Sequence, residues 1–415
     1  GHVYALGTVG SIVGAFGTTY LLVPALGVDA IGFAFGALLV ATAALLVVPS
    51  PSRDSVLSVA GALVILLAAL GSGSVGVSPA GQVIHEEETA YQELQVVDGA
   101  DTRTLYLDGE RHSAMDRSDP TRHVFDYTRY FHLPYLFADD PDDIDRVLFI
   151  GGGGFSGPKR FAAEYDATVD VVEIDPAVVD VAEEYFAVEE SEDLRIHEGD
   201  GREFLRETNH TYDVIVLDAY KKDKVPFHLT TREFMALAND RLSADGVLVA
   251  NLISAPSGPA SRFYRAEYAT MNEVFPQVYA FPTVGGGVVQ NIELVATKNG
   301  DRVTEATLRE RNDRRDIGID LHEEIGNYRA SEDPGDVPVL TDEYAPVDAL
   351  LDPMVGQRYV IGESGADTRG DGGADGEDDA TADGGEGGDD GTTPRPRIAE
   401  RPSAVAAVAP PADRF

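Results

Sequence analysis

Strands and helices are predicted to alternate along the chain from residue 146 onwards, and this pattern constrains the fold more than any other feature of the sequence. Stretches with helical spacing, such as 176–186, 202–207 and 230–242, separate short apolar runs. The five apolar runs lie at 146–150, 169–173, 194–197, 213–217 and 246–250. Such alternation is typical of an α/β fold with a Rossmann-like, doubly wound parallel sheet. Two further strands, 277–281 and 288–297, are expected to close the sheet as a hairpin.

The first 77 residues contain almost no charged side chains and predict transmembrane helices. Apolar stretches at about 5–25, 29–49 and 55–77 are each close to the 20 or so residues that a helix needs to cross the hydrocarbon core. A secretory signal peptide would have one short apolar run rather than three in succession. We therefore expect a multi-pass membrane segment of three helices before the sheet.

Two further regions complete the predicted organisation, which comprises 1–77, 82–137, 145–355 and 363–415. Residues 82–137 are expected to form a small β-rich domain, because 91–97 and 103–107 have strand character and are joined by a turn. The segment 124–137 is expected to be a short helix broken near Pro134. Residues 363–391 carry eleven acids, one arginine and many glycines, so 363–415 is predicted to be a disordered acidic tail.

Charge and composition exclude several classes of function. The chain has 71 acidic and 32 basic side chains, and a net charge of −39 excludes a protein that binds nucleic acid through bulk positive charge. Cysteine is absent, which excludes disulfides, thiolate metal sites and cysteine nucleophiles. No histidine pair has metal-ligand spacing, so no metal is expected. The acidic excess with only five lysines suggests a halophilic protein whose surface charge is screened by salt.

A glycine-rich loop directly after the first strand of the sheet predicts nucleoside binding. Gly152, Gly154 and Gly157 fit the pattern G-x-G-x-x-G, and Glu173 follows 21 residues after Gly152, at the end of the second strand. Glycines allow a ligand to approach the backbone closely, and a carboxylate at that strand end can accept both ribose hydroxyls.

Acidic residues also end the next two strands and indicate which nucleoside fits. Asp200 follows the third strand and Asp218 the fourth, so both are expected at the same edge of the sheet as Glu173. These carboxylates would repel a pyrophosphate but are compatible with an adenine amino group and a sulfonium centre. The alternative is that Asp200 and Asp218 serve only as loop acids or helix caps.

The motifs, in this order and spacing, resemble the spermidine synthase (polyamine aminopropyltransferase) family, and more closely its membrane-attached, spermidine-synthase-like branch. The residues that carry the resemblance are Tyr4 to Phe16 in the first predicted span, Ala90-Tyr91-Gln92, Leu105 to Gly109, Ile150 to Gly154, Val172 to Pro176, Gly199 to Phe204, Asp213 to Asp218 and Leu340 to Val347. The resemblance implies a sheet of the class I methyltransferase type. It also implies an enzyme that moves an aminopropyl group from decarboxylated S-adenosylmethionine to a putrescine-like amine.

The roles of the matching residues are implied by the same resemblance. The donor-binding residues would be Gln92 at the donor's tail, Glu173 at ribose, Asp200 at adenine, and the glycines Gly151, Gly152, Gly153 and Gly201. Asp218 would be the catalytic acid that takes a proton from the attacking amine, with Asp223 as a supporting acid. A protonated amine has no lone pair, so transfer needs a carboxylate that accepts its proton and aligns it with the sulfonium carbon.

The acceptor side departs from the family pattern. Gly154 replaces an aspartate, 126–128 reads Asp-Tyr-Thr instead of Tyr-Gln/His-Glu, and Val284 replaces a tyrosine. Three lysines follow Asp218, namely Lys221, Lys222 and Lys224, and their positive charges would repel a diamine. An acceptor that carries a carboxylate is therefore an alternative. The acceptor-side candidates are Asp223, His132 and His228.

Two other functions are compatible with the sequence. One is methyl transfer from S-adenosylmethionine, because Gly154 in place of an acid leaves room for a donor carboxylate. The other is a non-catalytic membrane module that binds a nucleoside or polyamine. The expected partners are a small amine and the lipid membrane. The sequence is also compatible with a homo-oligomer. Arg53 alone would place the sheet domain outside the cell, but the nucleoside donor favours the cytoplasm.

Overall fold

The structure is a computed structural model that describes residues 10–11, 14, 16–18, 28–72, 77–78, 81–222 and 224–364. Most of the first predicted span, 5–25, and nearly all of the acidic tail, 363–415, therefore lie outside the described residues, as does Asp223.

Two helices occupy the positions of the second and third predicted spans. Helix α1 covers Val28–Val47 and helix α2 covers Arg53–Ser72. In the part of the chain that the structure describes, no helix is long and apolar enough to cross a membrane, so the prediction of membrane spans is not supported. Each helix has 20 residues, and their charged residues, Asp29 in α1 and Arg53 and Asp54 in α2, lie in the first turn.

The β-rich region forms a five-stranded antiparallel sheet in chain order. Its strands are β1 (Val77–Ser78), β2 (Gly81–Glu88), β3 (Glu93–Asp98), β4 (Thr102–Leu107) and β5 (Glu110–Asp116). The two-residue turn between β4 and β5 consists of Asp108 and Gly109, whose φ angles are 52° and 76°. Positive φ at both positions is the geometry of a tight hairpin, which is why an Asp-Gly pair occurs here.

A short helical segment connects the two sheets. It consists of a 3-10 helix, Asp126–His132, and a one-turn helix α3, Pro134–Phe137. Pro134 is the first residue of α3, where its missing N–H costs no hydrogen bond. The break expected near Pro134 is therefore confirmed.

The second sheet contains the strand–helix alternation, and the predicted doubly wound sheet is confirmed. Its strands lie in the order β11-β12-β10-β9-β6-β7-β8, with β13 beside β12. They are β6 (Arg146–Ile150), β7 (Thr168–Glu173), β8 (Leu194–Glu198), β9 (Tyr212–Leu217), β10 (Leu242–Ser254), β11 (Gln277–Pro282), β12 (Val289–Thr297) and β13 (Tyr359–Val360). Strands β6 to β10 are parallel, and the closing hairpin of β11 and β12 is antiparallel.

Helices join the parallel strands and pack on the sheet. They are α4 (Ser156–Glu164), α5 (Pro176–Tyr185), α6 (Gly201–Glu207), α7 (Arg232–Arg241), α8 (Arg262–Asn272), α9 (Glu305–Arg314), α10 (His322–Ile325) and α11 (Val347–Leu351). Apolar side chains form one buried cluster around Phe149 and Val216, and another around Leu248 and Phe263. Alternate residues of each strand enter the two clusters, as expected for a sheet that is covered on both faces.

The chain runs from β6 to β7 and β8 on one side and returns to β9 and β10 on the other. The ends of β6 and β9 therefore form the switch point of the sheet, where ligands bind in open α/β folds.

Candidate functional site

Two adjoining cavities lie at the switch point of the sheet. The larger cavity has a volume of about 340 Å³ and is lined by the glycine loop after β6 and by the ends of β7, β8 and β9. The smaller cavity, of about 80 Å³, lies between the β4–β5 turn and the strands β10 and β12. Four residues line both cavities: Leu107, His112, Asp218 and Lys221.

The glycine loop packs too closely on its neighbours to carry side chains. Gly151 has a φ of 97°, and a Cβ there would lie 2.3 Å from the carbonyl oxygen of Asp218. A Cβ on Gly201, at the start of α6, would lie 2.4 Å from Cγ2 of Ile150. The two glycines therefore allow three strand ends to meet around the larger cavity.

Glu173 holds the glycine loop through its carboxylate. Its Oε2 accepts hydrogen bonds from the backbone nitrogens of Gly152 (2.8 Å) and Gly153 (3.4 Å), and its Oε1 accepts one from Asp175 (3.0 Å). Burial raises the pKa of Glu173 although these hydrogen bonds favour the carboxylate. The side chain lines the larger cavity and is fixed in one orientation there.

Gln92 reaches the larger cavity from the first sheet. Its Nε2 donates to Oδ2 of Asp175 at 3.0 Å, and the hydroxyl of Thr89 donates to the same oxygen at 2.7 Å. Asp175 also accepts a hydrogen bond from the backbone of Ala177 and so caps helix α5. The two sheets are thus joined at the point where Gln92 enters the cavity wall.

Asp200 caps helix α6 and is paired with a histidine. Its Oδ1 accepts the backbone N–H of Glu203 at 2.9 Å, and its Oδ2 lies 2.7 Å from Nε2 of His228. Burial opposes ionisation, but the hydrogen bonds from Glu203 and His228 hold the pKa of Asp200 below its usual value. The structure therefore brings His228 to the larger cavity beside Asp200, and not to the acceptor side as expected.

Asp218 lies in the wall between the two cavities. Its Oδ1 accepts a hydrogen bond from Nδ2 of Asn251 at 2.7 Å. Burial is the main reason that the pKa of Asp218 is raised to about 7; the Asn251 hydrogen bond acts against the rise and the charge of Glu173 adds to it. A carboxyl with a pKa near neutrality can both accept and release a proton under physiological conditions.

The smaller cavity has a hydrogen-bonded polar wall that the sequence analysis did not predict. Asn251 of β10 accepts a hydrogen bond from Nδ2 of Asn291 of β12 at 2.8 Å, and Asn291 accepts one from the hydroxyl of Tyr359 at 2.7 Å. Tyr127 and His112 complete this wall. The sequence did contain a signal for the two asparagines: each is a polar residue within an otherwise apolar strand, where a buried polar group needs a hydrogen-bond partner.

The three lysines after Asp218 are engaged with the first sheet. Lys221 forms an ion pair with Asp108 at 2.7 Å, and the Nζ of Lys222 lies 3.6 Å from Glu110. Lys224 donates to the backbone oxygen of Tyr91 at 3.2 Å. The acids of the β4–β5 turn thus balance the positive charge that was expected to repel a diamine.

The structure places His132 away from both cavities. It is fully buried, its Nε2 lies 2.8 Å from Nε2 of His123, and its Nδ1 is hydrogen-bonded to the hydroxyl of Tyr165. Burial and the neighbouring His123 hold the pKa of His132 well below its usual value. This position in the core does not support the acceptor-side role suggested for His132.

Gly154 does not leave free space for a donor carboxylate. A Cβ at this position would lie 2.5 Å from Oγ of Ser113, which is itself hydrogen-bonded to Ser156 at 3.2 Å. The space that an acidic side chain would need is therefore filled from β5. Among the described residues, no group of three or more histidine, aspartate or glutamate side chains is arranged to hold a metal ion.

Comparison with known proteins identifies the family. Residues 127–288 match the model of the spermine/spermidine synthase domain. A polyamine aminopropyltransferase of Vibrio vulnificus is 38% identical over 208 residues, which are 48% of this chain and 67% of that protein. One of Moorella thermoacetica is 31% identical over 219 residues, which are 50% of this chain and 73% of that protein.

A solved structure supports the same fold. The crystal structure of a probable spermidine synthase from Corynebacterium glutamicum has a TM-score of 0.52 at 19% identity, with 65% of this chain and 99% of that chain covered. At this identity the likeness concerns the fold alone. Together with the sequence relatives, it leads to one conclusion: the chain belongs to the spermidine synthase (polyamine aminopropyltransferase) family of enzymes.

Proposed function

We propose that this chain transfers the aminopropyl group of decarboxylated S-adenosylmethionine to an amine, with Asp218 as the general base. The observation that carries the proposal is the position of Asp218 in the wall shared by the two cavities. A donor in the larger cavity and an acceptor in the smaller cavity would both contact this carboxylate. A base must lie within hydrogen-bond reach of the proton that it removes.

The chemistry requires little beyond alignment and one proton transfer. The acceptor ammonium gives a proton to the Asp218 carboxylate, and its nitrogen then uses the freed lone pair to attack the carbon attached to the sulfonium. The carbon–sulfur bond breaks, its electron pair remains on sulfur, and a neutral thioether leaves. Because the positive charge on sulfur disappears, the enzyme accelerates transfer mainly by holding the two reactants in line.

The larger cavity has the groups that such a donor would need. Glu173 presents a fixed carboxylate for the ribose hydroxyls, Asp200 a carboxylate for the adenine amino group, and Gln92 an amide for the donor's tail. The glycine loop would lie against the nucleoside with no side chain between them. These assignments follow the family resemblance and are part of the proposal.

An amine acceptor agrees with the charges around the smaller cavity. The lysines that had favoured an acidic acceptor are paired with Asp108 and Glu110, while Asp218 has a hydrogen bond to Asn251 but no cationic partner in the described part of the chain. Methyl transfer loses its supporting argument, because Ser113 fills the space beside Gly154.

The experiment that tests the proposal is a product analysis with the full chain in high salt. We expect decarboxylated S-adenosylmethionine and 1,4-diaminobutane to yield methylthioadenosine and an aminopropylated amine, detected by mass spectrometry. S-adenosylmethionine should give neither aminopropylated nor methylated amine. Methylated product would instead support methyl transfer, and donor binding without any product would support a binding module.

Two further expectations remain part of the proposal. We place the sheet domain in the cytoplasm because a nucleoside donor is available there. We also propose adaptation to high salt, on the basis of the net charge of −39. Unfolding on transfer to low salt, followed by circular dichroism, would support this adaptation, and indifference to salt would contradict it.

A further inference from the structure

A chain of three hydrogen bonds ends at the carboxylate of Asp218. The hydroxyl of Tyr359 in β13 donates to Oδ1 of Asn291 at 2.7 Å, and Nδ2 of Asn291 donates to Oδ1 of Asn251 at 2.8 Å. Nδ2 of Asn251 donates in turn to Oδ1 of Asp218 at 2.7 Å. The members come from β13, β12, β10 and the end of β9, which are successive neighbours in the sheet. The chain therefore connects the segment after the sheet with the carboxylate in the wall of both cavities.

All three hydrogen bonds of this chain point in the same direction. A primary amide has an acceptor oxygen on one side and a donor nitrogen on the other, so a partner fixed at one end decides what the other end presents. Because the hydroxyl of Tyr359 donates to the oxygen of Asn291, both asparagines turn their nitrogens towards Asp218. The carboxyl group receives an N–H group, which favours its charged form. The reverse orientation would present the oxygen of Asn251 and favour the protonated acid.

The hydroxyl of Tyr359 is the group that begins the chain, and it keeps the proton that it donates. Burial is the main reason that the pKa of Tyr359 is raised above its usual value; the hydrogen bond to Asn291 acts against the rise, and the charges of Asp218 and Glu293 add to it. Tyr359 is therefore an uncharged donor throughout the pH range in which Asp218 titrates.

Backbone pairing on both sides of Tyr359 fixes the position of its ring. Residues 359–360 of β13 pair in parallel with residues 289–290 of β12. Further along, the carbonyl oxygen of Gly362 accepts a hydrogen bond from the backbone nitrogen of Asp126 at 2.9 Å. Tyr359 also lines the smaller cavity. The last described segment of the chain thus brings a hydroxyl group to the wall of that cavity.

We propose that Tyr359 is a positioning residue for the transfer, because it fixes which end of the Asn251 amide faces Asp218. It acts through Asn291 and keeps the general base in the form that can accept a proton. This inference rests on the proposed function and names the residue that prepares its base. Asp218 and Asn251 lie within residues 127–288, which match the family domain, whereas Asn291 and Tyr359 lie beyond them. The segment after the matched domain therefore completes the proton acceptor.

Tyr359→Phe in the full chain tests the inference, because it keeps the ring and removes only the hydroxyl. The kcat/KM for 1,4-diaminobutane would be measured against pH, and its rise in the wild type should have a midpoint near 7. We expect the variant to move this midpoint upward by about one pH unit. At pH 7 its kcat/KM would be about fivefold lower than that of the wild type, and the wild-type value should return at about pH 9. An unchanged or lower midpoint, or a loss that persists at high pH, would overturn the inference.

The substitution alters no charge near Asp218. The titratable groups that face Asp218 come from β5, the 3-10 helix, β7, β12 and the loop after β9. They are His112, Tyr127, Glu173, Glu293, and the lysines Lys221 and Lys222 with their partners Asp108 and Glu110. Tyr359→Phe leaves all of them in place and replaces an uncharged group. An upward shift of the midpoint therefore reports the hydrogen-bond chain.

Tyr328→Phe is the matched control. Tyr328 is also half-buried, its hydroxyl donates to the backbone oxygen of Val303 at 2.8 Å, and it lines neither cavity. We expect this variant to keep the wild-type midpoint. Asn291→Leu breaks the chain at its middle, and combined with Tyr359→Phe it should raise the midpoint no further than either substitution alone. Additive shifts would overturn the inference. Circular dichroism establishes that each variant is folded, and Asn291→Leu alone provides the test if Tyr359→Phe unfolds.

A second readout separates this inference from the proposed function. If the wild type transfers no aminopropyl group to any amine, the proposed function fails, and infrared difference spectroscopy then follows the protonation of Asp218 directly. The carboxyl C=O band that titrates in the wild type and is missing in Asp218→Asn reports this side chain. Its midpoint should lie about one pH unit higher in Tyr359→Phe. An unchanged midpoint, or no titrating band in the wild type, overturns the inference.

Discussion

The two cavities at the switch point are built in different ways. Around the larger cavity, the carboxylates Glu173 and Asp200 accept hydrogen bonds from nearby backbone nitrogens and cap the loops in which they lie. Around the smaller cavity, Asn251 and Asn291 project from the faces of two long strands and are hydrogen-bonded to each other. The polar groups of the larger cavity are therefore oriented by loops at strand ends, whereas those of the smaller cavity are oriented by the pairing of two strands.

This difference shows that the two cavities depend on different features of the fold. Groups at strand ends are oriented by the local turn and need few distant contacts. Groups on strand faces depend on register and on which elements cover the sheet. We expect substitutions on the larger-cavity side to affect donor binding, and those on the smaller-cavity side to affect the acceptor and the proton transfer.

Asp218→Asn is expected to have the largest effect, because Asp218 lines both cavities. An amide cannot accept the proton of the ammonium, so kcat should fall by about 10²–10⁴-fold, while the affinity for decarboxylated S-adenosylmethionine stays within a few fold. Single-turnover kinetics and calorimetry measure the two quantities. Full activity in the variant would exclude Asp218 as the base and would favour a binding role for this residue.

Glu173→Gln should weaken donor binding without changing the acceptor side. The amide would present an N–H group to backbone N–H donors that now point at a carboxylate, so we expect Kd for the donor to rise about tenfold to hundredfold. Glu198→Gln at the end of β8 is the control, because Glu198 is exposed and does not line the larger cavity. A rise in KM for the amine, with the donor Kd unchanged, would contradict the assignment of the donor to the larger cavity and the acceptor to the smaller one.

The pH dependence of kcat/KM should report the ionisation of Asp218. Because the folded-state pKa of Asp218 is raised to about 7, activity should increase as the pH rises through 7 and the carboxyl loses its proton. Asn251→Leu removes the hydrogen bond that favours the carboxylate, so this rise should move upward by about one pH unit. A profile that is identical in the two proteins would show that another group controls it.

Lys221→Met is expected to have the smallest effect. The ion pair with Asp108 is partly exposed, and such pairs contribute about 0–1 kcal/mol. KM for 1,4-diaminobutane, measured in high salt, should therefore change less than about fivefold, because salt screens a partly exposed ion pair. If Lys221 instead bound an acidic acceptor, the variant would use amines better and lose a carboxylate-bearing substrate, which a panel of acceptors would reveal.

The periodicity of the sequence was sufficient for the sheet and for the acids that lie at its strand ends. Each acid at Glu173, Asp200 and Asp218 comes after an apolar run, and parallel strands bring their carboxyl ends to one edge whatever the loops do. Composition was a weaker guide to the first 77 residues, where the predicted spans are not supported.

Only the tertiary structure decided which side chains line the smaller cavity. Asn251 and Asn291 come together because the antiparallel strand β12 pairs with β10 in one particular register, and a shift of β12 by one residue would turn Asn291 to the other face of the sheet. From the sequence alone, the lysines after Asp218 had no visible ion-pair partner. In the structure, Asp108 and Glu110 beside the β4–β5 turn pair with Lys221 and Lys222. Local sequence determines which residues stand at the end of each strand, whereas long-range pairing determines which side chains share a cavity.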